Sequence, residues 1–407
     1  MRSPLHNWLR VSFFNLLLVA LIGVTLRYKI VFSIPFIDQK HLLHGHSHFA
    51  FAGWITHTLM VLLVHYLSLQ KGEIVYRKYR FLLYANLVTA YGMLISFPIQ
   101  GYALWSISFS TLSIFVSYAF AVVYWKDLNS LPQKNVSQNS FKAAVFFNAL
   151  SSLGAFALAF MMATKNIHQN FYLASVYFFL HFQYNGWFFF GVLGLIFSRL
   201  EQITILQKPL RSIFILFVTA CIPAYLLSAL WLPMHPVIYW IVVLAAIAQV
   251  IAWYRFIQLY RRNRQLFAGC FPLAGRWLLL LAALAFTIKL MLQLGSTIPS
   301  LSQLAFGFRP IVIGYLHLVL LGVISISLIG YILSFQLMRV SKWLLPGIKI
   351  FVAGIVLNEV LLMLQGVSGL DYLIVPYIDL GLFIAALVLF SGILLMNLPF
   401  NNKFSDK

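Results

Sequence analysis

The chain has 407 residues, of which 62% are hydrophobic and 9% charged, and its mean hydropathy is +0.91. A soluble domain carries roughly 25% charged residues, so a water-soluble globular fold is excluded. The net charge of +20 comes from 28 Lys and Arg against 8 Asp and Glu. In a soluble protein it would suggest nucleic acid, but here the basic residues sit between apolar runs, which reads as membrane topology and no nucleic-acid partner.

Twelve apolar runs follow one another, at about 9–31, 47–69, 79–99, 102–125, 141–164, 171–198, 211–232, 236–260, 275–295, 310–335, 344–366 and 374–397. About 20 residues of helix cross a hydrocarbon core of about 30 Å. The runs are continuous rather than alternating, and lipid cannot satisfy an open backbone, so helices are expected and a β-barrel is not. The expectation is an all-α integral membrane protein, a single transmembrane domain over 1–407. Arg2 and Arg10 precede the first run without a convincing small-residue cleavage site, so that run reads as a helix rather than a signal peptide. The longest polar linker runs from about Lys126 to Lys142 and contains Pro132 and Gln133. Cys221 lies in an apolar run and Cys270 in a basic loop, with no metal-binding spacing and no expected disulfide.

Lys and Arg concentrate in alternate loops. They are Lys71, Arg77, Lys78 and Arg80 after the second run, and Lys126, Lys134 and Lys142 after the fourth. Arg199, Lys208 and Arg211 follow the sixth, and Arg255, Arg261, Arg262, Arg264 and Arg276 the eighth. Arg339, Lys342 and Lys349 follow the tenth. Short basic loops stay on the cytoplasmic side. The first opposite loop, with Arg27, Lys29 and Lys40, is an exception, and the last carries Asp371 and Asp379. Both termini are expected in the cytoplasm, with the chain in the cell's inner (cytoplasmic) membrane.

Three of the eleven histidines begin the same pattern, His, four residues, Gly. They are His48-Phe-Ala-Phe-Ala-Gly53, His181-Phe-Gln-Tyr-Asn-Gly186 and His317-Leu-Val-Leu-Leu-Gly322, in the second, sixth and tenth runs. The intervals are 133 and 136 residues, each about a third of the chain and each spanning four runs. This reads as three pseudo-repeated four-helix units, about 1–135, 136–270 and 271–407, with one His of each near the outer face. An imidazole in hydrocarbon must satisfy two ring nitrogens. A metal can take one and a carbonyl or hydroxyl the other, and His is a common axial ligand of haem iron. The bland reading is that each His merely bonds a neighbouring helix. The glycine leaves room for a macrocycle or a neighbouring helix. Residues three and four places on share a helix face. They are apolar beside His48 (Phe51, Ala52) and His317 (Leu320, Leu321), which suits the flank of a porphyrin. Beside His181 they are Tyr184 and Asn185, which suits a metal, a proton path or a polar ligand.

With these three histidines the chain resembles subunit I of the haem-copper oxidase superfamily, the group of terminal oxidases and nitric oxide reductases. The resemblance covers the whole chain in topology and implies a low-spin haem b between His48 of the second helix and His317 of the tenth. It implies a second metal, copper or iron, at His181. In nitric oxide reductases the sixth helix resembles His, three residues, Glu, Gly, and here Asn185 stands in place of the Glu. The seventh run lacks the family's adjacent His pair, with His235 alone after it. In the tenth run Tyr315-Leu316-His317 replaces His-x-His. A Tyr phenolate can ligate haem iron, which makes Tyr315 a candidate for a second haem.

The start of the second run, His41-Leu-Leu-His44-Gly-His46-Ser-His48, holds two competitors for the helix-2 ligand, His44 and His46, which also read as an adjacent metal site. His57 points nearly opposite His48 and reads as bonded to another helix. Arg309, before Pro310, and Arg27 are candidates for haem propionates or, equally, interfacial anchors. Glu359 reads as a proton-transfer residue or a paired structural acid, and Lys289 as a side chain snorkelling to the outer interface. The implied function is respiratory electron transfer or redox sensing. A cytochrome c or quinol would be the electron donor, and the bilayer and further membrane subunits the partners. Active oxygen or nitric oxide reduction with replaced ligands is a second reading. A transporter, or a haem- or metal-handling protein without redox turnover, is a third.

Overall fold

The computed structural model describes residues 4–302, 308–335, 337, 342–370, 373 and 375–401. Arg2, Arg339 and Asp371, which enter the charge argument, lie outside the described residues. Among those described there is no strand, and eleven helices are long and apolar enough to cross a membrane. The chain is thus an all-α protein built to sit in a bilayer.

The long helices in chain order are α1 (Pro4–Val31), α2 (Gln39–Lys71), α3 (Ile74–Gln100), α4 (Leu104–Asn129), α5 (Val136–Thr164) and α6 (169–200). They continue with α7 (Thr204–Cys221), α8 (Pro236–Arg262), α9 (Leu273–Gly295), α10 (Arg309–Ser334), α11 (Leu344–Leu370) and α12 (Ile378–Asn401). All but α6 are among the eleven. α6 is helical throughout, but His181, Gln183 and Asn185 in its middle make it less apolar than its length suggests.

Local chemistry sets the ends. Asp38 caps α2 by accepting from the His41 N–H at 2.8 Å, and that bond holds its carboxyl below the usual carboxylate range. Pro236 and Pro310 occupy first-turn positions of α8 and α10, where a missing N–H costs nothing. Gly72 (φ 84°) and Gly101 (φ 62°) end α2 and α3 in a left-handed backbone that other residues resist. The linker expected over Lys126 to Lys142 is mostly helix, leaving 130–135 as the connection.

One cap crosses a long stretch of chain. The start of α5 has no side-chain cap of its own. The Glu201 carboxylate, just beyond α6, accepts from the Ser137 N–H at 2.9 Å and from the Ser137 hydroxyl. It thus satisfies orphan donors at a helix N-terminus, where negative charge is favoured.

The chain forms two compact units. Unit 1 is Met1–Ala119 with Phe335–Lys407, and unit 2 is Phe120–Ser334. In unit 1, α2 packs on α3, α1 on α12, and α12 on α11. α2 is the core of that unit, with 83% of its apolar window buried. The α11–α12 contact is close because Gly347 and Gly392 lie backbone to backbone, 2.8 Å from where a Cβ would stand. In unit 2, α5 packs on α6, α7 on α8, and α9 on α10. Phe147 of α5 meets Phe182 and Phe190 of α6, and Phe141 of α5 lies against Gly194 of α6, all of these rings fully buried. By contrast α4 has 11% of its window buried. Apolar side chains facing lipid lose nothing by that exposure.

Candidate cofactor site

All three His-x4-Gly stretches run into a π-helical segment. α2 is π-helical over Ala50–Thr56, α6 over Phe182–Phe188 and α10 over Leu318–Ser325. The segment begins two residues after His48 and one after His181 and His317, and each contains the pattern's glycine. π-helical turns inside α-helices are rare and occur frequently at functional sites.

A π turn shifts backbone bonding from four residues to five, so carbonyls are left needing donors. Their partners are visible. In unit 1 the Asn86 amide of α3 donates to the Ala52 carbonyl at 3.1 Å. The Asn15 amide of α1 donates to the Gly53 carbonyl at 2.6 Å, and the Tyr91 hydroxyl donates to Asn15 Oδ1 at 2.6 Å. In unit 2 the Cys221 thiol reaches the Asn185 carbonyl at 3.7 Å. The Ser325 hydroxyl donates to Leu320 O, five residues back, at 2.7 Å.

Neighbouring protein groups occupy the space the glycines leave. A Cβ on Gly186 would stand 2.5 Å from Phe147 Cβ on α5, and one on Gly322 3.3 Å from Ala285 Cβ on α9. A Cβ on Gly53 would meet the Phe49 ring of its own helix at 2.5 Å.

In unit 2, His181 is fully buried and both ring nitrogens are engaged. Nε2 lies 2.9 Å from the Cys221 carbonyl, which can only accept, so Nε2 carries the proton. Nδ1 then accepts from the Asn185 amide at 3.1 Å. The Cys221 carbonyl is available because α7 ends there. The next turn, Pro223–Ala229, is a 3-10 helix in which the Tyr225 N–H bonds Ile222 O instead. A metal at His181 would have to displace one of these bonds. The π segments of α6 and α10 touch. Tyr184 and Tyr315 meet edge to face at 6.3 Å, with their hydroxyls interacting. His317 is half-buried, and its Nδ1–H donates to the Ile313 carbonyl at 2.8 Å. Arg309 is exposed at the first turn of α10.

In unit 1, His44 and His48 share one face of α2, around Phe97 and Tyr102. The His48 ring stacks on Phe97 at 4.4 Å, and its Nε2 is hydrogen-bonded to the Tyr102 hydroxyl at 3.1 Å. The His44 ring meets Tyr102 edge-on at 4.6 Å, and its buried Nε2 has no hydrogen-bond partner among the described residues. His46 points elsewhere, toward Gly23 of α1. His46 therefore does not share the face that His44 and His48 form. Among the described residues no three His, Cys, Asp or Glu side chains gather as a metal-binding group. His57 is fully buried, with Nδ1 3.4 Å from the Asn86 amide of α3 and its ring beside Trp8. Glu359 is half-buried on α11, 3.3 Å from the neighbouring Asn358 amide. Both cysteines are free.

Lys289 corrects the expectation of a snorkelling side chain. It is 3% exposed and lies in unit 2 over the Phe286 ring, facing inward to a cavity it shares with Asn185, Cys221 and Gln249. Hydropathy alone does not reveal which way a lone Lys on an apolar helix points. The π segments and their Asn caps were also missed. Asn15 and Asn86, polar residues inside apolar runs, were the available signal.

Comparison of the chain with family models and with curated proteins found no match.

Proposed function

We propose that the chain is a haem-binding integral membrane protein of the haem-copper oxidase subunit I type, built of three pseudo-repeated four-helix units. Its function would be respiratory electron transfer or redox sensing. The observation that carries this reading is the π-helical segment at the same place in α2, α6 and α10, next to a histidine each time. A recurrent local distortion at three matched histidines is more than helix packing needs, since one helix–helix bond per imidazole requires no π turn.

The residues fit a haem that histidines would hold on two counts. The Nδ1–H of His317 is fixed by the Ile313 carbonyl, which orients the ring and assigns its lone pair to Nε2. On α2, His44 presents a buried, unpartnered Nε2. The matched register favours His48, whose ligation requires the Tyr102 hydroxyl to release Nε2. The pairing of the α2 histidine with His317 rests on their matched positions in the pattern. Haem supplies one-electron chemistry at its iron. The chain's own contribution is orientation of the imidazoles and exclusion of water by the apolar neighbours Phe51, Ala52, Leu320 and Leu321. Arg309 would meet a propionate. His181 and Tyr315 are engaged with protein partners and receive no ligand role. The chain would lie in the cytoplasmic membrane with both termini inside, taking electrons from a cytochrome c or quinol near the outer face.

Reduced-minus-oxidised spectra of the full chain, expressed with ample haem, test the proposal. The expected result is a sharp low-spin b-type band, lost in His317→Ala and in His48→Ala. Loss in His44→Ala with retention in His48→Ala would move the ligand one turn and keep the haem. Protein without haem would sink the reading and favour a transporter or metal-handling role.

A further inference from the structure

Lys289 sits inside α9, 3% exposed, in an apolar part of unit 2. Among the described residues no carboxylate accompanies it; the groups around it are the Cys221 thiol, the His181 ring and the face of Phe286 at 5.3 Å. An unpaired ammonium out of water is strongly disfavoured, so Lys289 keeps its charge here only beside a counter-charge, and among the described residues the chain supplies none.

The cavity beside it shows what form that takes. Lys289, Gln249, Asn185 and Cys221 line it together with four phenylalanines, and it has room for about one water molecule. Gln249 is 5% exposed, and its Oε1 has no partner among the described residues, so turning the amide to present its NH2 to the cavity breaks no bond of that oxygen. A side-chain amide can present its NH2 to an anion. Asn185 gives one N–H to His181 and keeps a second. The phenyl rings of Phe189, Phe217 and Phe286 meet one another at 5.0–6.1 Å and make the rest of the wall apolar. The wall thus offers an ammonium and amide N–H groups, which attract an anion, set among apolar rings. A neutral water would fill the space and leave the charge uncompensated. A carboxylate-bearing metabolite would not fit.

We propose that this cavity binds one small monovalent anion of chloride size against Lys289. The site is separate from the haem reading, since it uses no residue of that ligand set and its occupant needs no iron.

The test uses the full chain in detergent, unfolded by heat in sodium chloride, sodium bromide or sodium gluconate at equal ionic strength. Chloride and bromide should raise Tm along a saturating curve, and gluconate should not. At about 100 times Kd a bound anion lowers the unfolded-to-folded ratio about 100-fold. Lys289→Met should abolish the rise, and Gln249→Leu should shift the curve to at least about tenfold higher halide, the ratio that one lost hydrogen bond to a charge supports. Chloride-35 line broadening by the wild-type protein, reversed by bromide, is a readout that needs no variant. Equal Tm in chloride and gluconate without excess broadening would overturn the proposal, as would a halide effect that survives in Lys289→Met.

Discussion

Replacing Gly186 by Ala separates two reasons for a glycine beside a histidine. The added Cβ would stand 2.5 Å from Phe147 Cβ and 3.0 Å from its Cγ. Phe147 is 1% exposed, stacked on Phe182 at 5.6 Å and tilted against Phe190 at 5.4 Å, so its ring cannot step aside without disturbing both. Overpacking of this kind costs about 1–3 kcal/mol, while exchanging Gly for Ala in a helix returns about 1 kcal/mol. With the Phe147 ring held on both sides the cost falls at the upper end of that range, about 3 kcal/mol, so the net expectation is a loss of about 2 kcal/mol. Gly322→Ala is the control. Its Cβ would meet Ala285 Cβ at 3.3 Å, a contact relieved by a small shift, so the two effects should nearly cancel. The assay is equilibrium unfolding in mixed micelles, for protein prepared with and without added haem. If Gly186→Ala is as stable as wild type, or loses stability only in the haem-loaded sample, the helix-packing account of this glycine is refuted.

Further outcomes follow from the polar contacts. Asn86→Leu leaves the Ala52 carbonyl and one His57 nitrogen without their donor, and should cost about 1–3 kcal/mol in the same unfolding assay. Glu201→Ala should cost about 1–2 kcal/mol by uncapping α5, and Glu201→Gln less, because the amide oxygen still accepts. Burial pushes the Glu201 carboxyl above its ordinary value, opposed by the two bonds from Ser137. The folded chain then holds that proton more tightly than the unfolded chain. The group's contribution is therefore largest below the ordinary carboxylate range, declines as pH rises to the raised value, and is flat above it. A pH titration of unfolding should show that decline in wild type and lose it in Glu201→Gln. Asn185→Leu should release the His181 ring, visible as a changed imidazole signal in NMR of histidine-labelled protein.

The helices were legible because length and hydropathy suffice for a chain whose solvent is lipid. The starts at 236 and 310 agree with α8 and α10, where a proline sits in the first turn, whereas α2 begins at Gln39 rather than 47 because the Asp38 cap carries the helix back through the polar histidine segment. The seventh apolar run spans about 211–232, whereas the helix spans Thr204–Cys221. Hydropathy continues past Pro223, but regular bonding does not. At the other end Lys208 and Arg211 are polar yet helical. The histidine pattern was visible as spacing, but not the π turns it leads into, since composition does not report residues per turn. The direction of Lys289 and the long-range cap from Glu201 depend on which helices are neighbours, and a single sequence carries no such pairing information.

The polar caps on the α2 π turn also fix depth. Apolar helices in lipid can slide along one another with little change in contact energy, because one methyl resembles the next. Asn15 and Asn86 each bond one particular carbonyl of α2, and Asn397 of α12 bonds the Phe13 carbonyl of α1 at 3.1 Å. A slip of one residue, about 1.5 Å along the axis, would break these bonds in a medium that offers no substitute. Asn pins therefore hold α1, α2, α3 and α12 at one height, and with them the level at which the α2 histidines sit.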